Sequence, residues 1–365
     1  MRQIGRETAG AAAQSSMRKK RRRKRLLRSG LLLVAVLAAV AAAAYWYAAE
    51  KFGWNLTAYR EQPPQAESAA EASSGAGVGN AEPNKGLYAL MYEAAVHVNL
   101  NTPLTYDPEI LQCETQEQYK AVVKATYNKL RLDHRELFFL CGYTSEIPFS
   151  SEGGRCTGEV SFSFRQIPGY TEEQLREMLK ELREQAAAVT AQIPENSSDY
   201  DKALFVHDYL VEHTSYDLPA QGSDSMHLSH TAYAALVQHK AVCSGYASAF
   251  SFLMHELNVP CLYFDGQSRK TAPDGGAAVS GSHTWNCVQL DGQYYWVDVT
   301  WDDPVTPEGT ERGGPVRHEY CFAADEPFLK DHIPGDSNPY DPPACTDGKL
   351  NRKLRKADAR AGISY

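Results

Sequence analysis

The pattern of apolar and polar residues divides the chain into regions with different periods. Residues 30–49 are an uninterrupted apolar stretch, whereas apolar residues recur at helical spacing over 116–132 and 172–191 and alternate over 159–165. A spacing of three and four predicts an amphipathic helix, and alternation predicts a strand with one buried face. Residues 86–195 are therefore expected to form a mixed α/β extension.

Beyond residue 198 the helical period becomes clearer and then changes to a period of two. Three helices are predicted, at Tyr200–His213, at Thr231–His239 and from Cys243 onward. Three strands are predicted after them, at Cys261–Phe264, His283–Leu290 and Gln293–Trp301.

The apolar stretch at 30–49 has the length of a membrane span. About 20 residues at ~1.5 Å rise each cross the ~30 Å hydrocarbon layer, and Tyr45, Trp46 and Tyr47 suit the interface. The run Arg18–Arg25, with Arg28 beyond it, flanks one end. This asymmetry predicts a single-pass protein of the cell membrane, with a cytoplasmic basic tail (1–29), a transmembrane helix (30–49) and an extracellular C-terminal part.

Two alternatives to an uncleaved anchor are open. Polybasic runs also bind nucleic acid, but a run next to an apolar segment is typical of a topology signal, so we expect no nucleic-acid partner. A cleaved signal peptide is the other alternative, since Ala42 and Ala44, or Ala48–Ala49, suit a peptidase. The apolar stretch is longer than a usual signal core, which favours the anchor.

Charge and composition separate the N-terminus from the rest. The net charge is −8 over 365 residues, but residues 1–50 carry eleven Lys and Arg against two acids, which leaves −17 for the remainder. Residues 50–85 are rich in Gln, Pro, Ala, Ser, Glu and Gly. Such a segment cannot bury enough apolar area to fold, so it is expected to be a flexible stalk.

Eight cysteines follow the apolar stretch, at 113, 141, 156, 243, 261, 287, 321 and 345. Disulfides persist outside the cell, and if Cys243 is a working thiol, at most three bridges can form. No two cysteines have CxxC spacing, so a zinc knuckle is not expected.

Cys243 and a downstream hairpin provide the candidate chemistry. Cys243 starts a predicted helix, whose dipole favours a thiolate. An Asp-Gly turn at 291–292 pairs Leu290 with Gln293, which places His283 and Asp298 on one face as diagonal neighbours about 7–8 Å apart. A His–Asp hydrogen bond is therefore predicted. The alternatives are a small buried cysteine and an exposed strand pair whose His and Asp are incidental.

The three segments together resemble the transglutaminase-like superfamily, in particular bacterial membrane-anchored members. The similar blocks are Val242–Ala247, Ser282–Asn286 and Tyr295–Asp303, in the order Cys, His, Asp. The resemblance implies a papain-like α+β core over 196–345, in which the helix that carries Cys243 packs on an antiparallel sheet, followed by a tail at 346–365. It also implies a catalytic triad of Cys243, His283 and Asp298 that cleaves or transfers acyl groups through a thioester.

Other features of that family do not carry over. Acidic calcium sites and sandwich domains are not recognisable, and no cofactor or metal is expected. The pair His227 and His230 lacks a nearby third ligand, and Asp302–Asp303 is expected to cap backbone groups. The segment around His207 and Tyr216 resembles a structural part of bacterial members, and the Cys243 N–H is the default oxyanion donor.

The sequence thus predicts a cell-surface thiol enzyme that acts on amide bonds. Its partners would be a peptide, protein or cell-wall peptide substrate, and the membrane through the N-terminal helix. Hydrolysis and cross-linking share the thioester, and hydrolysis is favoured because water needs no binding site. A non-catalytic surface binding or scaffold module is the alternative from another class.

Overall fold

The computed structural model describes residues 81–111, 113–148, 158–271, 277–304, 314–336 and 338–364. The predicted basic tail, the predicted transmembrane helix and all of the predicted stalk before residue 81 lie outside these ranges. Within the described ranges, no helix is long and apolar enough to cross a membrane. The membrane anchor therefore stays a prediction about residues that the structure does not describe.

Three helices and a three-stranded antiparallel sheet precede residue 195 in the described chain. The helices are α1 (Lys85–Val96), α2 (Gln116–Asp133) and α3 (Glu172–Thr190). The strands are β1 (Leu104–Tyr106), β2 (Leu140–Glu146) and β3 (Val160–Gln166), in the sheet order β1-β3-β2. The two helices and the strand predicted for this region are confirmed to within one residue at each end.

Three further helices and two short parallel strands follow. They are α4 (Asp199–His213), β4 (Ser215–Tyr216), α5 (Ala232–Leu236), β5 (Lys240–Ala241) and α6 (Cys243–Glu256). The predicted starts of α4 and α6 are confirmed. Helix α5 is shorter than predicted, because His239 takes a left-handed conformation (φ +56°) and the chain then enters β5.

A four-stranded antiparallel sheet completes the fold. It contains β6 (Cys261–Thr271), β7 (Ala277–Leu290), β8 (Gln293–Val297) and β9 (His332–Pro334), in the order β8-β7-β6-β9. Three helices belong to the same part of the chain, α7 (Val299–Asp302), α8 (Asp325–Phe328) and α9 (Lys349–Arg360). The predicted antiparallel sheet is confirmed.

The β7–β8 hairpin has the predicted register. Leu290 pairs with Gln293, and the two turn residues Asp291 and Gly292 have positive φ angles of 50° and 76°. Two such residues form the turn whose twist matches that of paired strands. The prediction that this second strand extends to Trp301 is wrong. The strand ends at Val297, because the chain there turns into α7.

Helix α6 is the centre of the core. All residues from Gly245 to Met254 are buried, so the helix is covered on every side, by α4 and α5 as well as by β6 and β7. Each large apolar side chain buried in this way contributes about 1.5–3 kcal/mol to folding. Cys243, at the first position of this helix, therefore has a rigid support.

Helix α9 packs on the domain, although the sequence assigned residues 346–365 to a tail. Leu354 and Asn351 are buried. The side-chain amide of Asn351 donates to the carbonyls of His318, Glu319 and Cys321 at 2.9–3.0 Å. The C-terminal helix thus fixes the segment that leads into α8.

Gly245 permits a close approach of backbone to the start of α6. A Cβ at this position would lie 2.5 Å from the carbonyl oxygen of Ser229 and 3.1 Å from that of Thr231. The Val242 N–H also donates to Ser229 O at 3.0 Å. The loop before α5 is therefore held against the turn that carries Cys243, and only glycine fits between them.

Substitution of Gly245 should disturb both stability and the reactive cysteine. We expect Gly245→Ala to lower the free energy of unfolding by about 1–3 kcal/mol, since the added methyl group overlaps backbone atoms. It should also slow alkylation of Cys243, because the loop and the helix start must separate. Urea unfolding and iodoacetamide labelling measure these effects. In Gly314→Ala the nearest atom would be 3.8 Å away, so equal losses in both variants would contradict this interpretation.

Candidate active site

Cys243 begins a helix whose N-terminus has no side-chain cap. Its N-cap residue is Val242, which offers no acceptor, and Cys243 and Ser244 have no acceptor for their N–H groups among the described residues. Helices α1 to α5 each have a side-chain cap, from Asn84, Thr115, Thr171, Ser198 and Thr231. The free N–H groups and the helix dipole at α6 can therefore stabilise negative charge on the sulfur or on a reacting oxygen.

His283 on β7 links the thiol to Asp298. Its Nε2 donates to Asp298 Oδ2 at 2.6 Å, and the Cys243 side chain lies close enough to help raise the pKa of His283. Because Nε2 is engaged by the carboxylate, the nitrogen that faces the sulfur is Nδ1. The structure thus brings together all three residues that the sequence selected.

Asp298 accepts four hydrogen bonds from three different elements. Oδ2 accepts from His283 and, at 2.9 Å, from Nε2 of His332. Oδ1 accepts from the N–H groups of Thr300 and Trp301, at 3.0 and 3.1 Å, and so caps α7. With only 1% of its surface exposed, this carboxylate is satisfied entirely by the protein.

The electrostatics of the His283–Asp298 pair favour the charged form of both side chains. Burial alone would raise the pKa of Asp298, but the two histidines outweigh burial and hold its pKa well below the usual range. Burial likewise lowers the pKa of His283, but Asp298 and the contact with Cys243 outweigh it and raise the pKa to about 10. At neutral pH His283 is therefore an imidazolium, the partner that a thiolate requires.

His332 is a site residue that the sequence analysis missed. It lies on β9, and its Nδ1 donates to the Phe328 carbonyl at 3.1 Å while Nε2 donates to Asp298. No sequence pattern near His332 indicates a role in the site. Its strand has only three residues, and Asp298 lies 34 positions earlier in the chain.

Aromatic rings shield the His–Asp pair from water. Trp301 stacks on His283 with centroids 5.0 Å apart and lies 4.5 Å from the His332 ring. Trp285 is 1% exposed, and its ring lies 5.8 Å from the ring of His283. Exclusion of water strengthens the hydrogen bonds to Asp298.

Tyr216 lies beside the nucleophile. It pairs with Ala241, two residues before Cys243, and its ring packs 6.5 Å from Tyr246 on the first turn of α6. Burial and then the neighbouring Cys243 raise the pKa of Tyr216 above its usual value. The sequence predicted only a structural role for the segment around Tyr216, and its place beside Cys243 was not predicted.

The histidine pair named from the sequence does not converge on a common point. His227 is exposed, whereas Nδ1 of His230 lies 2.6 Å from Ser244 Oγ and Nε2 lies 3.1 Å from Ser223 Oγ. His283, Asp298 and His332 also lie close enough to bind an ion. An ion there would take the nitrogen that orients His283, so it would oppose the triad instead of serving it.

Asp302 and Asp303 are buried, and both accept hydrogen bonds from distant residues. Asp302 accepts from the N–H of Tyr320 at 3.0 Å and from Nε2 of His207 at 3.1 Å. Asp303 accepts from the hydroxyl of Tyr246 at 2.7 Å. The predicted backbone capping is confirmed for Asp302, but the buried partners of both residues were not predicted.

All seven described cysteines are free thiols, and Cys156 lies outside the described residues. The upper limit of three bridges set by the sequence is therefore not approached, since no disulfide joins any two of the described cysteines. Cys287 and Cys345 are both buried, with sulfur atoms 3.6 Å apart. Burial raises the pKa of Cys261 to about 12, so that thiol is no nucleophile.

Comparison with known proteins agrees with the position of this site. Residues 186–300 match the sequence model of the transglutaminase-like superfamily. The chain is 28% and 27% identical, over 150 residues, to the kyphoscoliosis peptidases of Mus musculus and Homo sapiens. Each match covers 40% of this chain and 22% of the relative, so the chain spans about a fifth of the length of these relatives.

Solved structures add only a weak likeness. A crystal structure of a TGase has a TM-score of 0.30 and 15% identity, covering 52% of this chain and 49% of that chain. A TM-score this low carries no argument about the fold or the chemistry of the present chain.

Because Asp298 accepts four hydrogen bonds, its replacement by Ala should cost more stability than its replacement by Asn. Asp298→Ala should lower the free energy of unfolding by about 3–5 kcal/mol, because it leaves two buried imidazole rings and the N–H groups at the start of α7 without an acceptor. Asp298→Asn keeps the cap oxygen, so it should lose less stability while activity falls ~10²–10⁴-fold. Urea unfolding and initial rates distinguish the two.

Replacement of the exposed Asp336 by Asn is the matched control. It should change neither the free energy of unfolding nor the activity. Equal stability of the Ala and Asn variants at position 298 would show that the four bonds do not support the fold.

Proposed function

Since residues 186–300 belong to the transglutaminase-like superfamily, we propose that this protein is a thiol enzyme that acts on amide bonds of peptides or proteins at the cell surface. Cys243 is the nucleophile, His283 the proton carrier and Asp298 the residue that orients it. The observation that carries the proposal is the His283–Asp298 pair beside the uncapped start of α6.

The first step is attack of the Cys243 thiolate on the carbonyl carbon of an amide. A tetrahedral intermediate forms, with its negative charge on the former carbonyl oxygen. The Cys243 N–H, which has no acceptor among the described residues, is the donor we assign to that oxygen.

Collapse of the intermediate breaks the carbon–nitrogen bond. His283 transfers the proton on Nδ1 to the leaving amine, and a thioester with Cys243 remains. Asp298 holds the ring through Nε2 during this transfer, so the imidazole neither rotates nor changes tautomer.

Water or an amine then resolves the thioester. In either case neutral His283 takes a proton from the attacking group, and Cys243 leaves as a thiolate. We propose hydrolysis, because water is always present and needs no binding site, whereas an amine acceptor does. The names of the two mammalian relatives, which are peptidases, support this choice.

The location at the cell surface rests on the N-terminal sequence. The basic run and the apolar stretch at 30–49 support a single membrane anchor, with the catalytic domain outside the cell. Peptides, proteins or cell-wall peptides there are the substrates we propose.

Loss of the nucleophile and of the proton carrier should have similar effects. We expect Cys243→Ala to abolish covalent labelling, and His283→Ala to lower the rate on the order of 10⁴–10⁶-fold, because proton transfer to the leaving group is lost. A thiolate-directed activity probe, followed by peptide mapping, measures the labelling.

Cys113→Ala removes another partly exposed thiol and should leave labelling at position 243 unchanged. A fluorescent amine offered with a glutamine-containing protein tests cross-linking. Probe labelling without amine incorporation supports the hydrolase. No labelling of Cys243 would overturn the enzymatic proposal and favour a binding module.

The topology has its own test. Protease added to intact cells should remove the catalytic domain and leave the basic tail, because cationic residues 18–28 are retained in the cytoplasm. Immunoblots against each end of the chain report the outcome. Protection of the C-terminal end in intact cells, with cleavage after lysis, would refute the surface location.

A further inference from the structure

A second group of histidines and carboxylates joins three helices outside the triad. It consists of His207 and Asp208 on α4, His318 before α8, Asp302 at the end of α7 and Asp358 on α9. We name these five residues the His207 cluster. None of these five residues takes part in the proposed thioester mechanism.

Three atoms of the His207 cluster converge on one point. Nδ1 of His207 and Nε2 of His318 lie 2.9 and 3.0 Å from the same oxygen, Oδ1 of Asp208. All three atoms lie within 4.8 Å of one another. Ligands of a tetrahedral ion with ~2.0 Å bonds are roughly 3.3 Å apart, so small side-chain shifts suffice to admit an ion.

The outer nitrogen of each histidine is held by a separate buried carboxylate. Nε2 of His207 donates to Asp302 Oδ2 at 3.1 Å, and Nδ1 of His318 donates to Asp358 Oδ1 at 2.9 Å. The Asp302 and Asp358 side chains are 0% and 6% exposed. Metal-binding histidines have such partners, which fix the tautomer and turn the free nitrogen toward the ion.

The rings of His207 and His318 are stacked, with centroids 5.4 Å apart. Their inner nitrogens both face Asp208 Oδ1, so a single ion in that position is within reach of both rings.

We propose that His207 Nδ1, Asp208 Oδ1 and His318 Nε2 bind a first-row divalent transition metal ion, with Zn²⁺ as the expected occupant. Two imidazole nitrogens and one carboxylate suit zinc and its neighbours, whereas calcium prefers oxygen ligands alone. Binding displaces any proton on the two inner ring nitrogens to solvent and involves no change of oxidation state. Asp208, with 37% of its side chain exposed, gives the ion access from solvent.

The metal would join parts of the chain that the active site needs. Asp302 ends α7, and Asp298 caps the other end of the same four-residue helix. Asp358 and His318 attach the C-terminal helix to α4. Metal binding should therefore stabilise the domain and hold the catalytic carboxylate in position without taking part in the chemistry.

The test uses the full-length protein with Cys243→Ser, so that the active-site thiol cannot bind the probe. Isothermal titration with Zn²⁺ should give one site per chain, and Zn²⁺ should raise the melting temperature. Asp208→Asn and His318→Gln, which remove ligand atoms, should each weaken binding more than ~100-fold. Asp358→Asn should weaken it ~10–100-fold.

His227→Gln is the matched control, since it removes an exposed histidine from the pair near α5 and should leave the affinity unchanged. Co²⁺ in place of zinc should lack the charge-transfer absorption of thiolate ligands. Equal affinity in all variants, loss in the control, no binding, or thiolate absorption would each overturn the proposal.

A crystal of the parent protein grown with Zn²⁺ decides the matter if a cluster variant does not fold. An anomalous peak between the three ligand atoms supports the site, and its absence there contradicts it.

Discussion

The carboxylate of Asp298 is the point on which the rest of the site depends. It is buried, and it accepts hydrogen bonds from His283, His332 and two backbone N–H groups of α7. An unpaired carboxylate at this depth would cost several kcal/mol, so its four donors must be in place together. One side chain thereby fixes the orientation of the catalytic imidazole, the end of β8, the start of α7 and the position of β9.

This arrangement explains why the site needs the C-terminal part of the chain. His332 reaches Asp298 because β9 pairs with β6 at Gln267 and its neighbours. The segment before β9 is held in turn by α9, through the amide of Asn351. The triad therefore occupies residues 243–298, but its geometry depends on contacts that extend to residue 358.

The sequence predicted those features whose causes are local. The Asp291–Gly292 turn sets the register that brings His283 near Asp298, and the apolar spacing after Cys243 defines α6. It missed one local feature, the cap by which Asp298 ends β8 and starts α7. It also missed contacts from distant residues, since His332 is 34 residues from Asp298 and His207 is 95 residues from Asp302. No periodic pattern marks single residues of this kind.

The central claim is that Asp298 keeps His283 positively charged beside Cys243. Because the pKa of His283 is raised from 6.5 to about 10, the stabilisation from this pair is complete below pH 6.5 and is lost as the pH rises through about 10. Nitrogen-15 NMR of the histidine rings, recorded against pH, tests the claim directly. The account predicts that both ring nitrogens of His283 stay protonated from pH 6 to above pH 9; loss of a proton near pH 6.5 would contradict it.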